Sequence, residues 1–113
     1  MKVLITGGTG YLGRAVVGAI QAAGHATTVF ARSATASGLR GVLVDGDIRD
    51  SSHVMATAFG CDAIVHIAAL VAVWRKQARQ FDEVNVGGLA NVLDAARHHR
   101  IRRVVYTSSF LAL

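Results

Sequence analysis

Apolar residues in this chain fall into short unbroken runs, separated by longer stretches in which they recur every three or four positions. Lys2–Thr6 (KVLIT), residues 27–31 (TTVFA), residues 42–44 (VLV), Ala63–Ile67 (AIVHI) and Arg103–Thr107 (RVVYT) are the runs, and each reads as a strand that is mostly apolar on both faces. Between the first two, residues 11–23 set Leu12, Val16, Ala19, Ile20 and Ala23 at helical spacing, closed by Gly24 as a left-handed cap. Residues 51–59 read as a short helix opened by Asp50 or Ser51 as N-cap. Residues 77–98 read as a long helix with Phe81, Asn85, Leu89, Val92 and Ala96 along one face. Strands without polar alternation, separated by helices, predict an α/β fold with a parallel sheet covered on both faces. Right-handed crossovers then give the strand order 3-2-1-4-5, with a topological switch between strands one and four, where such sheets bind ligands. Residues 32–41 are barely long enough for a parallel crossover, so little or no regular helix is expected there.

The 113 residues have room for one domain, and 52% apolar against 17% charged residues excludes a disordered tail. The longest nearly apolar run, residues 63–74, contains His66 and is well short of the ~20 residues that span a bilayer. The apolar stretch after Lys2 is too short for a signal peptide, so the expectation is a soluble, cytoplasmic protein with no membrane contact. Cys61 is the only cysteine and reads as a core or near-core thiol, and no Cys/His spacing suggests a metal. A net charge of +5 leaves room for an anionic partner: nucleic acid, a membrane surface or a phosphorylated cofactor. The densest basic cluster, Arg97, His98, His99, Arg100, Arg102 and Arg103, falls at the C-terminus of the long helix, where cations oppose the negative end of the dipole. That placement explains it as a solvated terminus, and no aromatic residues interleave with it for base stacking, which argues against nucleic acid. Trp74 with Arg75, Lys76 and Arg79 reads most simply as a solvated helix entrance, the alternative being a face toward substrate or nucleic acid, and His66 reads as a packed core histidine.

The chemistry is concentrated at the first strand-to-helix turn. Residues 6–13, TGGTGYLG, hold Gly7, Gly10 and Gly13 in G-x-x-G-x-x-G spacing between a strand and a helix. Glycines let the backbone turn tightly and approach a pyrophosphate closely, while the helix N-terminus offers N–H groups and the positive dipole end. A dinucleotide site is therefore expected, the alternative being an ordinary tight turn. The end of strand two reads the adenosine ribose: a carboxylate there favours NAD, an arginine the 2′-phosphate of NADP. Here the residues are Ala31, Arg32 and Ser33, with no carboxylate, and Arg32 stands 19 positions after Gly13. NADP is the expected cofactor, with NAD the alternative, and a solvated loop arginine is the alternative reading of Arg32.

TGGTGYLG, Asp45-Gly46-Asp47-Ile48, His66-Ile67-Ala68-Ala69, Asn85 with Gly88 and Asn91-Val92-Leu93, and the VVYTSS segment occur in this order. Together they resemble the extended short-chain dehydrogenase/reductase superfamily. Within it the likeness is to the NAD-dependent epimerase/dehydratase group, especially dihydroflavonol-reductase-like reductases and sugar epimerases. The resemblance implies a Rossmann-type NAD(P)-binding domain over residues 1–113, incomplete at the C-terminus, with the remaining strands and the substrate-binding region outside it. It implies that Gly7, Gly10 and Gly13, with the backbone of Tyr11 and Leu12, hold the pyrophosphate. By the same likeness Asp47 and Ile48 contact adenine, and Ala68 and Ala69 line the ribose and nicotinamide. Ser109 is the implied catalytic residue, hydrogen-bonding the reacting oxygen of a small-molecule substrate, and Asn85 an implied structural tie near it, with a plain core hydrogen bond as the alternative for Asn85. In such enzymes proton transfer belongs to a Tyr-x-x-x-Lys pair, because a phenol needs a nearby ammonium to act near neutrality. Neither Tyr11 nor Tyr106 has a lysine four positions on. The expectation is thus the cofactor-binding part of an oxidoreductase or epimerase/dehydratase, inactive by itself, with a homodimeric parent compatible with the likeness. The alternatives are a non-catalytic dinucleotide-binding or sensing module and a truncated product without function.

Overall fold

A computed structural model describes residues 1–7, 9–67 and 86–107. In chain order the elements are β1 (Lys2–Thr6), α1 (Tyr11–Ala22), β2 (Ala26–Ala31), one 3-10 turn (Ala34–Ala36), β3 (Val42–Asp45), α2 (Ser51–Ala58), β4 (Ala63–Ile67), α3 (Gly88–His98) and β5 (Arg103–Thr107). Every strand pair is parallel, and the order is β3-β2-β1-β4-β5. The short turn between β2 and β3 meets the expectation for residues 32–41.

Boundaries move by a residue where a hydrogen bond decides them. β2 begins at Ala26, whose N–H donates to the Met1 carbonyl at 3.0 Å. β3 runs on to Asp45, which lies opposite Ala31. Asp50 is the N-cap of α2, its carboxylate accepting from the His53 N–H at 3.1 Å. Gly24 follows the C-cap Ala23 with φ +90, the left-handed conformation expected of it. Of the predicted helix over residues 77–98, residues 77–85 lie outside the described residues, and the α-helix is described from Gly88.

Successive strand residues point to opposite faces, so each apolar run feeds two cores. Val3, Ile5, Val29, Ala63 and Ile67 pack with Val17 of α1 on one face. Leu4, Phe30 and Ile64 pack with Val54 and Ala58 of α2 and with Val92, Ala95 and Ala96 of α3 on the other. Cys61 is buried in this second core, as expected, and burial pushes its thiol pKa up. β5 departs from the expectation of strands apolar and covered on both faces: Val105 is 55% exposed and Tyr106 40%. β5 stands at the edge of the described sheet, where only β4 pairs with it. No helix among the described residues is long and apolar enough to cross a membrane.

Candidate dinucleotide site

The chain leaves β1 to form α1 on one face of the sheet, whereas α3, which follows β4, lies on the other. The helices that follow β1 and β4 therefore diverge to opposite faces at the C-terminal ends of those strands, the predicted switch. Gly7 sits at this divergence with φ +77, and its N–H donates to the Phe30 carbonyl at 3.0 Å. A Cβ on Gly7 would lie 2.6 Å from the Ile67 carbonyl oxygen, so only glycine lets the exit of β1 pass over the end of β4. The requirement at this position comes from the protein's own backbone.

Gly10 is different. Its backbone is extended (φ −77, ψ −177), and among the described residues a Cβ there would meet nothing within 4 Å. As N-cap of α1 it supplies no side-chain hydrogen bond, so the first turn of α1 starts without a side-chain cap. Helix N-termini leave orphan N–H donors and a positive dipole end, which suit an anion. Gly13 is buried in α1, while Tyr11 (96% exposed) and Leu12 (54%) turn their side chains to solvent. This geometry fits a pyrophosphate held by main-chain groups.

Two further loops reach the same edge. The Gly46 N–H donates to the Ala31 carbonyl at 3.0 Å, tying the end of β3 to the end of β2. A Cβ on Gly46 would come within 2.5 Å of the Phe30 ring and 2.8 Å of His53 Nδ1, so this turn needs glycine for packing. Asp45 accepts from the Thr35 N–H (2.9 Å) and hydroxyl (2.7 Å), which anchors the short turn behind Arg32 and lowers the carboxyl pKa. Arg32 carries a largely exposed guanidinium, and Asp47 lies 3.7 Å from it. The absence of a carboxylate from residues 31–33 therefore does not hold in space, since β3 delivers one to Arg32. Arg49 grips the same carboxylate, with Nη2 2.6 Å from Oδ2. Hydrogen bonding from Arg49 holds Asp47 down to about 2, so it is an anion at any physiological pH.

Ile48, the other residue expected near adenine, is pinned from behind. Asn91 Nδ2 donates to its carbonyl at 2.9 Å, and its side chain crowds the start of α3, where a Cβ on Gly88 would be 3.0 Å away. Asn91 thus positions the loop after β3, a role its polar side chain beside the buried Gly88, Val92 and Ala95 could have signalled. His66 is 3% exposed at the end of β4, with Nδ1 2.5 Å from the Thr6 hydroxyl oxygen. Its ring stacks on Tyr106 at 5.5 Å, and Nε2 has no hydrogen-bond partner among the described residues. Burial lowers its pKa to about 4, so it is a neutral packing residue, as the sequence suggests. The basic cluster is only partly a solvated terminus: Arg97 and His98 are exposed in the last turn of α3, but His99 Nε2 lies 2.7 Å from the Met55 carbonyl and docks α3 on α2. Ala68, Ala69, Asn85, Trp74, Arg75, Lys76, Arg79 and Ser109 lie outside the described residues. Among the described residues no group of three or more His, Cys, Asp or Glu side chains could hold a metal ion.

A doubly wound parallel sheet with a glycine turn and an uncapped helix at its switch defines a Rossmann-type dinucleotide-binding protein. Comparison with known sequences agrees, for the profile of the NAD dependent epimerase/dehydratase family matches residues 3–112. The chain belongs to that family. A 2-alkyl-3-oxoalkanoate reductase of Stenotrophomonas maltophilia is 37% identical over 111 residues, covering 96% of this chain and 33% of the relative. A short-chain dehydrogenase/reductase superfamily protein from Agrobacterium tumefaciens, solved with bound NAD, superposes with a TM-score of 0.86 at 31% identity. That superposition covers 96% of this chain and 33% of that protein. UDP-glucose 4-epimerase from Brucella ovis, in complex with NAD, gives a TM-score of 0.86 at 28% identity, covering 96% and 36%. The chain spans about a third of the length of the curated relatives it matches.

Proposed function

We propose that this chain is the cofactor-binding part of an NADP-dependent oxidoreductase or epimerase/dehydratase acting on a small molecule with a carbonyl or hydroxyl carbon. The observation that carries the cofactor assignment is the guanidinium of Arg32, exposed at the end of β2 on the rim of the switch. Arginine presents a planar fork of donors suited to a phosphate, which a neutral ribose hydroxyl cannot exploit to the same extent.

In this reading the backbone of Gly7, Gly10, Tyr11, Leu12 and Gly13 holds the pyrophosphate, and Arg32 meets the 2′-phosphate. Asp47 accepts from the adenine amino group, Ile48 packs on the ring, and Ala68 and Ala69 border the ribose and nicotinamide. The bound nicotinamide supplies or accepts hydride. Ser109 donates a hydrogen bond to the reacting oxygen and so orients the carbon next to it. The relatives named for a ketone-type reductase and a nucleotide-sugar epimerase support a substrate in one of those two classes. A Tyr-x-x-x-Lys pair does not occur in these 113 residues, so the chain by itself binds cofactor without turning substrate over.

Calorimetric titration with NADPH and NADH tests the assignment. NADPH should bind more tightly, and Arg32→Asp should reverse the order. Equal affinities before and after the substitution would remove Arg32 from the cofactor site. Oxidation of NADPH by the purified 113-residue chain in the presence of a carbonyl substrate would overturn the expectation that it lacks turnover.

A further inference from the structure

Asp47 stands between two guanidiniums that hold it unequally. Arg49 takes it from the same loop: its N–H donates to Oδ1 at 2.9 Å, and its Nε lies 3.0 Å from Oδ1 and 3.2 Å from Oδ2. Its Nη2 completes the grip on Oδ2 at 2.6 Å. Arg32, arriving from the neighbouring strand, stands off at 3.7 Å, beyond hydrogen-bond distance, with its side chain 60% exposed. Among the described residues, Asp47 is the carboxylate that both guanidiniums approach. With the Arg49 side chain removed, the same carboxylate would offer both oxygens to Arg32.

We infer that Arg49 is a positioning residue for cofactor choice: by occupying the Asp47 carboxylate it keeps the Arg32 guanidinium available to a phosphate on the adenosine ribose. This rests on the assignment of Arg32 to the 2′-phosphate. Arg49 acts through Asp47, and Asp47 is both the competitor for Arg32 and a negative charge facing the incoming phosphate. An Asp47 carboxylate left to Arg32 engages the fork that the phosphate needs, and only the NADP form of the cofactor is sensitive to that loss. Contacts to adenine and pyrophosphate are common to both cofactors and cancel in the ratio of their affinities.

The test is the NADPH-to-NADH affinity ratio, measured by calorimetry for the unaltered protein, Arg32→Ala, Arg49→Ala, and Arg49→Ala combined with Asp47→Asn. All three positions are at least partly solvent-exposed, and far-UV circular dichroism confirms that each variant is folded. Arg32→Ala should bring the ratio close to one. Arg49→Ala should lower the ratio about two- to fivefold, the range set by an exposed ion pair. Adding Asp47→Asn to Arg49→Ala should restore it, because the competitor is then gone. An Arg49→Ala protein with an unchanged ratio overturns the inference while leaving the Arg32 assignment standing. A lowered ratio that Asp47→Asn fails to restore also overturns it, and makes Arg49 a direct phosphate contact. A ratio unmoved by Arg32→Ala overturns the assignment itself, and the inference with it.

Discussion

Adding one methyl group at Gly7 should destabilise this protein, whereas the same change at Gly18 should not. Gly7→Ala places a side chain where φ is +77, a region that costs an L-residue about 1–2 kcal/mol. The new Cβ would stand 2.6 Å from the Ile67 carbonyl oxygen, which is backbone and cannot rotate away. Relief requires β1 and β4 to separate at their C-terminal ends, and overpacking of this kind costs about 1–3 kcal/mol. Together these give a loss of about 2–5 kcal/mol, a large share of the ~5–15 kcal/mol that holds a typical domain together. Gly18→Ala is the matched control. Gly18 is an exposed position in the middle of α1, a Cβ there meets nothing within 4 Å, and the change should stabilise by about 0.5–1 kcal/mol. Urea unfolding followed by circular dichroism reads both, and the two midpoints should move in opposite directions from the unaltered protein. A Gly7→Ala protein within about 0.5 kcal/mol of the original, the usual scatter for neutral surface changes, would refute this account of the turn.

Two other outcomes follow from single side chains. His66 has a folded pKa of about 4 against an ordinary 6.5, so the unfolded chain takes up this proton first as pH falls. Its contribution is complete above pH 6.5 and is lost toward pH 4, up to about 3 kcal/mol, and His66→Gln should flatten that part of the stability profile. An unchanged profile in the variant would mean that other groups carry the acid sensitivity. Asp50→Ala removes the cap on the His53 N–H and should cost about 1 kcal/mol in urea unfolding, whereas Asp50→Ser should recover most of it.

Five strands, their parallel order and the lack of a regular helix between β2 and β3 were legible from the apolar runs and the lengths between them. Those features depend on local periodicity and on crossover handedness, and both are written along the chain. The glycine turn was legible as a tight strand-to-helix turn, but the reason for Gly7 was not, because the atom it must avoid belongs to Ile67 on another strand. Gly46 hid its role in the same way, against Phe30 and His53. The carboxylate beside Arg32 was missed because the sequence around residue 32 has none. Parallel pairing of β2 with β3 sets Ala31 beside Asp45 and so carries Asp47 to Arg32. Asn91 and His99 likewise act on carbonyls more than forty residues away, a separation at which sequence spacing says nothing.

The measurement that tests the central claim most directly is a titration of NADPH into the 15N-labelled protein, followed by amide chemical shifts. Binding at the switch should move Gly7, Gly10, Tyr11, Leu12, Arg32 and Asp47 together, with Gly10 and Tyr11 foremost because their amides border the uncapped start of α1. Amides at the opposite, N-terminal ends of the central strands, such as those of Lys2 and Asp62, should stay in place. Shifts confined to those N-terminal ends, or no saturable change at millimolar cofactor, would contradict a dinucleotide site built on this turn.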